Sequence, residues 1–125
     1  MIADNTAPFR GISETRWAEE LGDARLTSFG ENPHGVREYY PIVRDVVQGM
    51  LSQGRRVLVL LEYEYWLNIY LDDFLRGRGD AFLSHSFHDP DAGVLYGAGL
   101  HRFYADLRTL YREHPGLLSC RHIDL

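Results

Sequence analysis

A chain of 125 residues, 45% hydrophobic and 25% charged, has the length of one domain and the composition of an ordinary globular protein. Its net charge of −5 lacks the basic stripe of a nucleic-acid surface, and all 13 basic residues are arginine, which excludes lysine Schiff-base chemistry and a P-loop lysine. The single cysteine, Cys120, permits no internal disulfide and fits a reducing compartment. The N-terminal MIADNTAPFRG has no apolar signal-peptide core, and no apolar run reaches bilayer length, so a cytoplasmic protein with no membrane association is expected.

In chain order, residues 1–13 carry Pro8 and Gly11 without a sustained period and read as a flexible leader; 14–125 read as a single domain. Runs 15–21 and 24–29 flank Gly22-Asp23, a pattern that predicts a type II′ hairpin. Residues 30–35, GENPHG, form a loop. The spacing of Val36, Tyr39, Tyr40, Val43, Val46, Val47, Met50 and Leu51 predicts a helix over 36–51. Pro41 is tolerated if the regular helix starts near Arg37, and Gly54 is a suitable stop.

The segment 57–76, VLVLLEYEYWLNIYLDDFLR, organises the rest. Five apolar residues, 57–61, predict a strand buried on both faces inside a sheet. Glu62-Tyr63-Glu64-Tyr65 then alternates, and Leu67, Tyr70, Leu71 and Phe74 give the stripe of a following helix. The turn between them lies at the carboxyl edge of the sheet, where α/β proteins tend to bind ligands and partners. Gly77 and Gly79 close this helix. Residues 81–87 alternate as a strand, His88-Asp89-Pro90-Asp91 makes a turn, and a last helix runs to about Glu113 on the stripe Leu100, Phe103, Tyr104, Leu107, Leu110 and Tyr111. Residues 117–123 form a final strand. The predicted order is ββαβαβαβ: an α/β fold with a mixed sheet, its later strands parallel, and about three helices.

Few constellations carry chemistry. His85, His88, Asp89 and Asp91 bring metal-type donors together, but on a strand His85 and His88 point to opposite faces, and Asp89-Pro90-Asp91 is explained by capping, so no metal is assigned. Cys120 sits mid-strand as a small buried hydrophobe. Glu62 and Glu64 would share a strand face, either for acid–base work or as a wet edge. The GAG at 97–99 lacks the context of a nucleotide loop. No catalytic residue and no cofactor are expected. The 8 tyrosines and 2 tryptophans are many for this length, and Tyr63, Tyr65, Trp66 and Tyr70 gather about the central turn. They suit an interface, or a core lining with polar tips at the rim; both readings stay open.

Residues 30–68, GENPHGVREYYPIVRDVVQGMLSQGRRVLVLLEYEYWLN, resemble the SiaC-like regulatory phosphoproteins, which share their architecture with STAS anti-sigma-factor antagonists. Glu31-Asn32-Pro33 resembles that family's loop, Tyr39-Tyr40-Pro41 its aromatic-proline helix start, Gly54 its helix stop, 57–61 its strand, Asn68 the asparagine of its last motif, and LSHSFHDPD its aromatic strand and acidic turn. The resemblance implies a STAS-like fold and partner switching, in which a kinase and a phosphatase set a phosphate and the bare form binds a diguanylate cyclase in cyclic di-GMP signalling linked to biofilms. It also implies a phospho-acceptor threonine after Asn68, where this chain has Ile69.

The expectation is therefore a non-enzymatic, STAS-like regulatory domain that binds a protein partner through Tyr65, Trp66, Leu67, Asn68, Ile69, Asp72 and Asp73, the two aspartates supplying steering charge. One alternative is an acidic immunity or inhibitor protein against a basic toxin or nuclease. The other is a small enzyme using the turn from His85 to Asp91.

Overall fold

In the computed structural model of the chain, residues 19–21, 24–29, 39–85 and 93–123 are described. Helix α1, Tyr39–Ser52, keeps Pro41 in its first described turn and buries Val46, Val47, Met50 and Leu51, as the apolar period predicts. It stops in a Schellman motif. Gly54 adopts φ +74°, its N–H bonds the Leu51 carbonyl at 2.9 Å, and the Arg55 N–H bonds that of Met50 at 3.2 Å. A side chain with a Cβ would be strained there.

Strand β1, Val57–Glu62, follows at once. A single 3-10 turn, Tyr65–Leu67, leads into helix α2, Asn68–Leu75, which buries Leu71, Phe74 and Leu75. Gly77, at φ +72°, ends α2 with the same Schellman pair, Gly77 N–H to Phe74 and Arg78 N–H to Asp73. Helices α3, Ala81–His85, and α4, Gly93–Glu113, precede strand β2, Leu118–Ile123. The predicted stripe of α4 is its buried side, with Leu100, Phe103, Tyr104, Leu107 and Leu110 in the core.

The fold is mixed α/β. Among the described residues β1 and β2 form a two-stranded parallel sheet, Val57 opposite Leu118 and Glu62 opposite Ile123. Parallel neighbours need a long crossover, and α2, α3 and α4 lie within it. Val59, Leu118 and Cys120 share one core with Val47 and Leu51 of α1, Leu71 and Phe74 of α2, Phe82 of α3, and Tyr104 and Leu107 of α4.

Four expectations are corrected. Residues 19–21 are helical and 24–29 contain no strand, so the described part of the expected hairpin is absent. Glu19 and Glu20 are good helix formers and poor strand residues. The 24–29 segment is held instead by Arg55, whose Nη2 donates to the Ala24 carbonyl at 2.7 Å. The expected strand 81–87 is helical through His85. The Asp80 carbonyl accepts from the Leu83 and Ser84 N–H groups, and Phe82 is driven into the core against Phe74 and Tyr104. A run as short as 81–87 is too brief to separate the two periods. Third, β1 is not interior: among the described residues it has one neighbouring strand, and Leu58 and Leu60 are 59% and 49% exposed. Fourth, β1 ends at Glu62, so Glu64 lies beyond the strand and is no same-face partner for it. The leader, the 30–35 loop, and His88, Asp89 and Asp91 of the donor-rich turn lie outside the described residues.

Candidate functional site

Strand β2 alternates cleanly, with Leu118, Cys120 and His122 inward and Ser119 and Arg121 outward. The period of two carries a histidine into the core, where His122 is fully buried. A buried imidazole needs partners for both nitrogens. Nδ1 lies 3.3 Å from the Glu64 carbonyl, which can only accept, so Nδ1 carries the proton. Nε2 is then the acceptor, and the Tyr104 hydroxyl donates to it at 2.7 Å. Tyr63, Phe82 and Tyr104 place rings around the imidazole at centroid distances of 5.3–5.8 Å. Burial lowers the His122 pKa below its usual 6.5, the bond to Glu64 opposing this in part, so the ring is held neutral.

The same residue ties the sheet to the turn. Parallel pairing leaves the backbone of His122 facing away from β1, and Asn68 fills the vacant place. Its Oδ1 accepts from the His122 N–H at 2.8 Å, and its Nδ2 donates to the His122 carbonyl at 3.0 Å. One side-chain amide thus does what a neighbouring strand would do. With Glu64 bonded to the His122 ring, both ends of the turn from Glu64 to Asn68 are fixed to β2.

What the turn presents outward is apolar. Tyr65 is 66% exposed, Trp66 49% and Ile69 68%. Trp66 stands edge-on to Tyr70, ring centroids 6.3 Å apart at 87°. Of the seven residues expected at a partner surface, these three meet that expectation in exposure. Leu67 does not: it is fully buried, because the helical period turns it inward with Leu71 and Phe74, and it is core. Asn68 is half-buried and committed to His122. Asp72 accepts from Arg121 Nη1 at 2.8 Å, and Asp73 lies 3.5 Å from Arg78. Both carboxylates are partly neutralised, which weakens the steering role expected of them.

Cys120 is buried as expected, and burial pushes its thiol up to about 12, so it carries no thiolate near neutral pH. Among the described residues no group of three or more His, Cys, Asp or Glu side chains could hold a metal ion, and no helix is long and apolar enough to cross a membrane. A shallow groove between α1 and α4, lined by Arg44, Gln48, Asp106, Thr109, Leu110 and Glu113, has a volume of about 160 Å³. That is below the size of a usual small-molecule pocket.

His122 is the feature that sequence reasoning missed. The signal was there: Leu118, Cys120 and His122 occupy one face of a strand whose first two members are apolar. No family model matches the chain, and neither curated proteins nor solved structures give a match.

Proposed function

We propose that this is a non-enzymatic domain that binds another protein through Tyr65, Trp66 and Ile69. The carrying observation is the succession of large exposed apolar side chains on a turn whose backbone is bolted to β2 through Asn68 and His122. A rigid turn loses little entropy on docking, and aromatic groups supply contact area at low rotamer cost. The SiaC-like resemblance supplies the setting: a cytoplasmic regulatory domain whose partner is a diguanylate cyclase or a kinase and phosphatase pair. The finer STAS-like arrangement belongs to the same proposal, supported by the β1–turn–α2 unit and its parallel neighbour β2. Ile69 has no hydroxyl, so the threonine switch that the resemblance implies after Asn68 cannot operate at that position, and Ile69 stays an apolar contact. The neutralisation of Asp72 and Asp73 makes an acidic blocking face, as an immunity protein would need, the weaker reading.

The test is affinity capture from the native host with the wild-type chain, followed by titration of the captured protein against Trp66→Ala. Truncating an anchor should cost about 2 kcal/mol of binding, with an unchanged circular dichroism spectrum. Equal affinity for both chains would move the surface elsewhere.

A further inference from the structure

The outer edge of β1 carries a pattern that the Tyr65–Ile69 surface does not use. The Val57 N–H bonds the Leu117 carbonyl at 2.8 Å, and the Tyr63 N–H bonds that of Ile123 at 3.2 Å. In a parallel pair, the residues at odd numbers from 57 to 63 therefore direct their backbone groups to β2. Those of Leu58, Leu60 and Glu62 face the other way. No described residue pairs with that edge. The side chains of Leu58, Leu60 and Glu62 share the sheet face opposite the core, and all three are exposed, as is Arg56. An open edge with exposed leucines is one that proteins normally blunt or pair.

We propose that β1 is the seam of a homodimer, pairing antiparallel with β1 of a second copy about a two-fold axis through Val59. In that register Leu58 faces Leu60 of the second copy and Leu60 faces its Leu58, each pair exchanging N–H···O=C bonds. Arg56 falls opposite the other copy's Glu62, and Glu62 opposite its Arg56. Among the described residues neither Arg56 nor Glu62 has an ion-pair partner of its own. Charge selects the register. A shift by one residue pair in one direction sets Leu58 against Glu62, and in the other sets Leu60 against Arg56; only the central register matches apolar to apolar and plus to minus. The result is a four-stranded sheet, β2-β1-β1-β2, with no β1 edge left open. A two-fold axis makes every contact occur twice, so one substitution acts at both ends of the seam.

The experiment is sedimentation equilibrium of the full chain from low to high micromolar concentration, with Arg56→Glu, Glu62→Arg and the combined exchange. The wild type should shift from 14.4 kDa toward twice that mass. Each single change sets like charges opposite each other at both ends and should raise the dissociation constant about tenfold or more. The combined exchange restores both pairs and should return the constant to within about threefold of wild type. Both positions are solvent-facing, so circular dichroism should be unchanged; if one single variant unfolds, the other carries the same test. A wild type that stays at 14.4 kDa overturns the proposal, and so does a dimer indifferent to both single changes or a combined exchange that fails to rescue.

Discussion

The two strands of the sheet follow opposite rules. In β2 burial alternates residue by residue: Leu118, Cys120 and His122 go in, Ser119 and Arg121 stay out, and the one polar residue that goes in, His122, has hydrogen-bond partners for its ring. In β1 both faces are apolar, yet only Val59 is buried, while Leu58 and Leu60 stand in solvent beside it. A strand that spends leucines on its open face is not explained by its own core. The difference teaches that an apolar run reports the surface a strand is built to cover, whether another part of the same chain or a second molecule supplies the cover.

The comparison can be broken most forcefully from the core side. Leu67→Ala empties a fully buried site between β1 and α2 and should cost about 3 kcal/mol in urea unfolding. Leu58→Ala, measured in dilute solution, should cost less than about 1 kcal/mol, since its side chain keeps most of its exposure. Comparable losses would mean that the outer face of β1 is packed.

Next in size is the His122 network. Tyr104→Phe removes the hydroxyl that donates to Nε2 and leaves a buried acceptor unsatisfied, for a loss of about 1–2 kcal/mol. The same network makes stability depend on pH. The folded-state pKa of His122 lies below 6.5 while the unfolded chain titrates near 6.5, so between these values the unfolded state binds more protons. Stability from the neutral ring is thus fully present above pH 6.5 and is lost as pH falls from there to the folded pKa. The slope contributed by this one group should not exceed about 1.4 kcal/mol per pH unit, and His122→Asn should flatten it. The smallest effect expected is that of Asp72→Asn. Its partner Arg121 is half exposed, and loss of such a pair should cost under about 1 kcal/mol and fade in salt.

The legibility of the fold in the sequence divides along the same line. Long periodic stretches were readable: α1, α2 and α4 bury the stripes their spacing predicts, Gly54 and Gly77 end helices, and residues 117–123 give β2. Short stretches were not. Ala81–His85 has too few residues to separate a helical from an extended period, and the Asp80 start with the Phe82 insertion decides in favour of helix. Within the site, Tyr65, Trp66 and Ile69 follow from position after a strand, but Leu67 does not share their surface, because the helical period already begins within the turn and carries it into the core. Asn68 could be singled out by resemblance, yet its task, supplying backbone-like bonds to His122 across 54 positions of sequence, is a tertiary fact that no local pattern encodes.

The most direct measurement is amide hydrogen exchange along β1, read by NMR on the Arg56→Glu chain at concentrations where it is monomeric. A strand with one paired and one open edge should alternate, with the amides of Val59 and Leu61 exchanging slowly and those of Leu58 and Leu60 exchanging at rates near those of exposed backbone. Uniform slow exchange from Val57 to Glu62 in the monomer would show that the outer edge is already covered and would contradict an open β1.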